Sequence, residues 1–260
     1  TLCVTTLVLL SALPTGARLH AQSAPDRALA PVPFGLGERM SYKVTLGVAG
    51  EVGNGVIEVL KLDTVHGFPT YQLRMHVKGG ITFLKVEDEY HSWLDVQSLI
   101  SRRFNQDVDE VSYESKRRYE FFPGERSWRR VDKEESGTMP TDEPLDDLSF
   151  LFYVRTLPLQ IGETYTLNRY FKEQGNPVTV KVLRRDTVTV PAGTFSTIVV
   201  QPIIRTKGLF SEGGQAEVHF TDDERRIPVQ ITTRLNVPLL KSLNMYLKQY
   251  SPGKRLAPLL

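Results

Sequence analysis

The sequence predicts a mainly β protein, in which one large curved antiparallel sheet forms a half-barrel or open barrel with one amphipathic helix. Two observations predict this fold. Apolar and polar residues alternate through many runs separated by Gly- and Pro-rich turns, and one segment instead has apolar residues at helical spacing. Because a long antiparallel sheet twists, we expect it to curl toward a barrel or around the helix.

The first strands show the clearest alternation. Residues 39–48 read RMSYKVTLGV, with an apolar side chain at every second position, which is typical of a half-buried strand. Residues 56–65 and 70–78 resume strand character after the turn sequences GEVGNG and HGFP. Three strands joined by short turns predict an antiparallel meander.

The middle of the chain is more polar but keeps strand character. Two runs are predicted to pair around Val96 and Gln97, and a second hairpin is predicted to turn at Pro123 and Gly124. Arg117 falls on the same face as the apolar side chains of this second hairpin, which is unusual for a charged residue.

One segment is predicted to be the helix. Residues 144–159 read PLDDLSFLFYVRTLPL, with acidic residues in the first turn and Arg155 in the last, as the helix dipole favours. Asp142, followed by Pro144, is the expected N-cap, and Pro158 is expected to end the helix.

Strand character returns after the helix and continues to Tyr250. Residues 187–202 read TVTVPAGTFSTIVVQP, in which β-branched runs flank Pro191, a residue without a backbone donor, and Gly193, which tolerates a positive φ. This pattern predicts a turn between two strands and not a reactive loop. Residues 239–250 read LLKSLNMYLKQY, which fits helix and strand spacing about equally, and we favour a strand.

The N-terminal residues predict export. They contain the apolar run LCVTTLVLLSALP, which is too short to span a bilayer, and then a small residue, Ala21, where a signal peptidase would cut. We therefore expect a signal peptide at 1–21, a flexible lead-in at 22–33 and a single antiparallel β domain at 34–260. The alternative for the apolar run is a buried N-terminal strand or helix.

Cysteine usage and charge exclude several kinds of protein. The one cysteine, Cys3, lies inside the predicted signal peptide, so the mature chain would have no disulfide framework, thiol nucleophile or cysteine-based metal site. A formal net charge of +2, from 32 basic and 30 acidic residues, does not favour nucleic-acid binding. The chain after the N-terminal run contains no apolar stretch long enough to predict a transmembrane span.

The common catalytic patterns are absent from the sequence. The chain lacks GxSxG, phosphate-loop and dinucleotide-binding motifs. Glu87, Glu89 and His91 alternate on one predicted strand face, a spacing that chelates a metal poorly. The acid pairs at 146–147 and 222–223 are interpreted as a helix start and a hairpin loop. We therefore predict no catalytic residue, no metal and no cofactor, and a protein that is not an enzyme.

The candidate ligand-binding residues are aromatic and Met side chains predicted to point to the concave face of the sheet. One helix does not fill the concave side of so large a sheet, and an unfilled apolar concavity binds apolar ligands. The candidates are Tyr42, Tyr71, Met75, Trp93, Tyr119, Phe121, Phe150 and Phe152. The alternative is an ordinary packed core made of the same residues.

Four segments resemble, in the same order, a family of exported bacterial proteins known as domain of unknown function 3108. The segments read FGLGERMSYKVTLGVAGEVGNG, LDDLSFLFYVRTLPLQIGE, VPAGTFSTIVVQP and FTDDERRIPVQI. The resemblance covers residues 34–250. It implies a curved antiparallel sheet wrapped on a helix, similar to the periplasmic lipoprotein carriers whose half-barrels hold acyl chains, and it implies no catalytic residues.

These observations favour a periplasmic cell-envelope protein, free or peripheral to the outer membrane, that binds or carries a lipid or other hydrophobic molecule on the concave face of its sheet. A second hypothesis is an envelope assembly or structural protein that contacts a protein partner through its surface and binds no small ligand. A third is a hydrolase of envelope polymers that uses paired carboxylates.

Overall fold

The computed structural model describes most of the chain after the predicted signal peptide. The described residues are 29–81, 84–110, 113–204, 216–234 and 242–256. The predicted signal peptide, the first part of the predicted lead-in and residues 257–260 lie outside the described residues.

Fourteen β-strands and one α-helix make up the described structure. The strands before the helix are β1 (Arg39–Leu46), β2 (Glu51–Val65), β3 (Phe68–Ile81), β4 (Leu84–Asp95), β5 (Ser101–Glu110), β6 (Tyr113–Phe122), β7 (Ser127–Arg130) and β8 (Glu135–Thr138). The helix α1 (Asp147–Val154) follows β8. The strands after the helix are β9 (Thr164–Leu167), β10 (Val178–Val190), β11 (Gly193–Ile203), β12 (Ala216–Thr221), β13 (Pro228–Arg234) and β14 (Ser242–Ser251).

All fourteen strands belong to one antiparallel sheet. Its order is β8-β7-β6-β5-β4-β3-β2-β1-β14-β13-β12-β11-β10-β9, so each half is a meander, and the pairing of β1 with β14 joins the halves. Among the described strands β8 and β9 are the two edges, and the sheet is not closed. The predicted mainly β fold, an open curved antiparallel sheet with one α-helix, is confirmed.

The hairpins form where the turn chemistry predicts them. β10 ends at Val190, the turn holds Pro191 and Ala192, and β11 begins at Gly193, whose φ is 131°. Val190 and Gly193 are paired across this hairpin, so the TVTVPAGTFSTIVVQP segment is a turn between strands. The β4–β5 and β6–β7 hairpins also form as predicted.

The alternation in β1 sets which side chains face the interior. Met40, Tyr42 and Val44 are buried, and the residues between them are partly exposed. We call the face that carries these buried side chains the inner face of the sheet. The strand ends at Leu46, earlier than the alternation predicts, because a three-residue 3-10 turn follows and leaves Val48 76% exposed.

The helix exists as predicted, but it is not amphipathic. Seven of its eight residues are buried, and only Tyr153 is partly exposed. The reason is that α1 packs against β3 and β4 on one side, while Phe150 and Leu151 face Val218 and Phe220 of β12 on another. The gap left at this second contact is about 10 Å³, which is no larger than one water molecule requires.

The N-cap of α1 is Asp146 and not the predicted Asp142. The Asp146 Oδ1 atom accepts hydrogen bonds of 2.9 Å from the backbone N–H groups of Leu148 and Ser149. In return, the Ser149 hydroxyl oxygen accepts a hydrogen bond from Asp146 N at 2.9 Å. This capping box satisfies N–H groups that a helix start leaves without partners. Asp142 lies at the surface, with 63% of its side chain exposed.

Candidate functional site

The inner face of the sheet collects most of the predicted ligand-binding residues. All eight of these side chains are buried. Those that belong to one continuous hydrophobic cluster are Tyr42, Tyr71, Met75, Tyr119, Phe121, Phe150 and Phe152.

Trp93 lies on the outer face, so its predicted inward orientation is wrong. Its indole N–H donates to Asp63 Oδ2 at 2.9 Å, and the guanidinium of Arg103 lies 5.2 Å from the ring centroid. On β4, Tyr90 is directed to the inner face, and alternation therefore places Trp93 on the other face together with His91.

Aromatic rings fill the part of the inner face beside α1. The ring of Phe34 meets Tyr71 edge-on at a centroid distance of 5.5 Å and Phe152 at 5.0 Å. The Tyr42 hydroxyl donates to the carbonyl oxygen of Pro228 at 2.7 Å. Burial raises the pKa of Tyr71 to about 12 and raises the pKa of Tyr42 as well, so both phenols are neutral.

The connection between β9 and β10 crosses the inner face near β5 and β6, which the sequence did not predict. Phe171 packs against Tyr119 and Phe121, with ring-centroid distances of 5.1 Å to each. Tyr170 is buried beside it, and its hydroxyl donates to Asp147 Oδ1 at 3.0 Å. The available signal in the sequence was a pair of adjacent aromatic residues in a connection that is otherwise polar.

Two adjacent carboxylates are buried at the start of α1. Besides the N–H groups of the cap, Asp146 accepts hydrogen bonds from the hydroxyls of Ser92, at 2.6 Å, and Ser101. Burial raises the pKa of Asp146, while its hydrogen bonds lower it. Burial also raises the pKa of Asp147 to about 6, and the nearby charge of Asp146 adds to this shift. Both carboxylates therefore hold structural hydrogen bonds inside the protein.

Arg117, the charged residue on the apolar face of its hairpin, lies opposite Gln106 on the inner face. Its Nη1 atom donates to Gln106 Oε1 at 3.0 Å. A second cation lies nearby, because the ammonium group of Lys172 is 5.5 Å from the ring centroid of Tyr119 and 4.9 Å from that of Phe171. Lys172 follows Phe171 directly, so the same crossing connection brings both to the inner face.

Burial is the main influence on the Lys172 ammonium. Burial lowers the pKa of Lys172, the charge of Asp147 raises it, and the charges of Arg117 and Arg130 lower it. Arg130 lies opposite Tyr119 in the β6–β7 pair. We call Arg117, Arg130 and Lys172 the inner cation cluster.

The residues weighed as a metal site lie on the outer face in ion pairs. Glu89 contacts Arg74 at 2.6 Å and His91 at 3.2 Å. Glu87 contacts Lys78 at 3.0 Å. Among the residues that the structure describes, no group of three or more His, Cys, Asp or Glu side chains is placed to hold a metal ion.

The second acid pair lies in the β12–β13 hairpin, as the sequence predicts. Asp222 contacts Arg185 at 2.7 Å, and Asp223 contacts Arg225 at 2.5 Å. These ion pairs lower the pKa of Asp222, and hydrogen bonds from Arg225 and Thr221 lower that of Asp223 against the effect of its burial. Neither carboxyl has the raised pKa of a general acid.

Comparison with protein families decides the affiliation of the chain. The family model described as "Protein of unknown function (DUF3108)" matches residues 41–247. The chain belongs to the DUF3108 family. The match runs from within β1 to within β14 and includes α1 and the connection that carries Lys172. All of the sheet except the outer ends of β1 and β14, together with the inner cation cluster, therefore falls within the DUF3108 region.

Solved structures resemble this DUF3108 chain at low sequence identity. A β-barrel-like protein of the DUF1849 family from Brucella abortus is 11% identical, with a TM-score of 0.51, covering 86% of this chain and all of that one. A "putative lipoprotein" from Parabacteroides distasonis is 10% identical, with a TM-score of 0.36 and coverage of 85% and 98%. A "putative exported protein with YmcC-like fold" from Bacteroides fragilis is 12% identical, with a TM-score of 0.31 and coverage of 86% and 99%. The first of these likenesses shows that a member of a second family has a similar fold, and it shows nothing beyond the fold.

No curated protein matches the sequence of this DUF3108 chain. Within the described residues, no helix combines the length and the apolar content needed to cross a membrane.

Proposed function

We propose that this protein is an exported, periplasmic cell-envelope protein that binds or carries a lipid or other hydrophobic molecule on the inner face of its sheet. The predicted signal peptide at 1–21 would direct export, and the domain that follows would bind the ligand without catalysing a reaction. The aromatic and Met residues of the inner face, without Trp93, would line the site.

The observation that carries this proposal is the extent of the apolar inner face relative to the helix. A helix of eight residues is about 12 Å long, whereas β3, with 14 residues, spans about 46 Å. Beyond α1 the inner face continues with apolar side chains from both halves of the sheet. They include Val44, Val77, Val108, Val180, Ile231 and Met245. An apolar inner face of this extent would suit a long apolar ligand better than a small polar one.

Native mass spectrometry tests the proposal directly. The mature chain, residues 22–260, would be purified without detergent from a bacterial periplasm and weighed before and after extraction with organic solvent. We expect extra mass that the solvent removes and that the extract identifies as lipid or another hydrophobic molecule.

A matched pair of variants keeps the test specific to the inner face. Val108 and Asp109 are neighbours on β5 that point to opposite faces, Val108 being buried and Asp109 exposed. Val108→Trp should reduce ligand occupancy by filling the inner face, and Asp109→Trp should leave it unchanged. A bare polypeptide mass, together with no uptake of the apolar probe diphenylhexatriene by the folded protein, would contradict the proposal and favour an envelope assembly protein.

A further inference from the structure

We infer that the ligand is an acidic amphiphile, whose negatively charged head group is bound by Lys172 and Arg117 while its apolar chain lies along the inner face. The inference rests on the proposed function, because it names the chemical class of the molecule held there. Carboxylate, phosphate and sulfonate head groups share the required chemistry, since each offers anionic oxygen atoms to two cations.

The placement of Lys172 is the first argument. Its side chain is partly buried, and its ammonium group lies over the two rings of Tyr119 and Phe171. Within the described chain, no carboxylate lies within ion-pair distance of its Nζ atom, and no oxygen accepts a hydrogen bond from it. Taking an ammonium group out of water without an acceptor costs free energy. An anion bound on the inner face would supply that acceptor.

The charges around Lys172 are the second argument. Within the inner cation cluster, Arg130 is already paired, with Asp132 and with Glu135 at 3.2 Å. Arg117 donates to Gln106 on the inner face, and its positive charge acts on Lys172. The negative charge that acts on Lys172 is Asp147, whose carboxylate accepts a hydrogen bond from Tyr170. Asp147 is engaged by Tyr170 and forms no ion pair with Lys172 in the described structure, so an acidic head group would be the ion-pair partner of the Lys172 ammonium.

The position of the two cations gives the third argument. They lie at the border of the aromatic cluster formed by Phe104, Tyr119 and Phe171. A charged group at the end of an apolar surface fixes the orientation of a ligand that has one polar end. A purely hydrophobic molecule would make no use of Arg117 or Lys172, and a small anion would make no use of the apolar inner face.

Three probes separate these ligands. Hexadecanoate, hexadecanol and acetate would compete with diphenylhexatriene, or bind directly in calorimetry, at neutral pH. We expect hexadecanoate to bind about tenfold more tightly than hexadecanol, because charge-assisted hydrogen bonds are the stronger ones, and acetate to bind weakly. Lys172→Met and Arg117→Gln should each reduce this preference. Arg118→Gln, which changes the next residue on the outer face, should keep it.

The outcomes distinguish the inference from the proposed function. Equal binding of hexadecanoate and hexadecanol would overturn the acidic head group and leave the hydrophobic site standing. Binding of neither long-chain probe would overturn the proposed function itself. A preference for hexadecanoate that survives in folded Lys172→Met and Arg117→Gln would place the head group elsewhere and overturn the assignment of these two residues.

Discussion

Arg155 and Glu38, which are 117 residues apart, form a buried two-point ion pair. The Arg155 Nη1 and Nη2 atoms donate to the two carboxylate oxygens of Glu38 at 2.7 and 2.9 Å, and both side chains are 1% exposed. Arg155 is the C-cap of α1, and Glu38 directly precedes β1. The guanidinium also donates to the carbonyl of Arg225 at 3.0 Å, so it connects the helix to the sheet and to the β12–β13 hairpin.

Breaking this ion pair should strongly destabilise the fold. Glu38→Gln would leave the Arg155 guanidinium buried without its charged partner, which costs about 3–5 kcal/mol of unfolding free energy. The measurement is urea unfolding followed by circular dichroism. Arg184→Met removes a cation that is 49% exposed and 3.2 Å from Glu217, and should cost less than about 1 kcal/mol. Equal, small losses in the two variants would show that the buried pair does not hold α1.

Removing the N-cap residue of α1 should destabilise the fold more than removing an ordinary N-cap residue does. In Asp146→Ala the helix start loses its acceptor, and the buried hydroxyls of Ser92 and Ser101 lose theirs, so we expect a loss of about 3 kcal/mol in unfolding free energy. The control is Asp142→Ala, the residue that the sequence favoured as the cap, which should change stability by less than about 0.5 kcal/mol because it is exposed. A larger loss of unfolding free energy in Asp142→Ala than in Asp146→Ala would contradict the assignment of Asp146 as the N-cap.

Most of the sheet follows from local sequence patterns. The alternation in β1 and β3 and the Pro191–Gly193 turn depend on side-chain periodicity and backbone preferences, which act over a few residues. The choice between Asp142 and Asp146 as N-cap could not be made in this way, because both precede the apolar run. Asp146 is fixed by Ser92 and Ser101, which come from distant strands.

The candidate site was predictable only in part. The inner-face aromatic residues follow from alternation, and Trp93 could have been assigned to the outer face because it shares the parity of His91 and not of Tyr90. The unusual position of Arg117 was visible in the sequence. Its neighbour Lys172 was not, because that residue reaches the inner face through an irregular connection whose path no periodic pattern describes.

The buried carboxyl of Asp147 should make stability depend on pH. Its pKa is about 6 in the folded protein against an ordinary 3.8, so the folded state retains a proton that the unfolded chain releases between these values. The contribution of Asp147 to the unfolding free energy therefore falls as the pH rises through this window and is level above it. Asp147→Asn keeps an acceptor for Tyr170 and removes this dependence. Relative to the wild type, the unfolding free energy of the variant should rise by up to about 3 kcal/mol between pH 4 and pH 7.5. The measurement is an unfolding curve of each protein at both pH values. A difference in unfolding free energy between the two proteins that is the same at both pH values would contradict the raised pKa.

A single methyl group should test the packing of the crossing connection. A Cβ atom on Gly175 would lie 2.1 Å from the ring of Tyr170. This ring is buried and its hydroxyl is hydrogen-bonded to Asp147, so the ring would have to move out of its packed position. Gly175→Ala should therefore cost about 1–3 kcal/mol through overpacking. Gly124→Ala, where the added Cβ meets nothing within 4 Å, serves as the control and should be close to neutral. Because Lys172 lies on the same connection, Gly175→Ala should also weaken binding of hexadecanoate more than binding of hexadecanol. A destabilised variant that retains full preference for the acid would show that the Tyr170 contact and the position of Lys172 are independent.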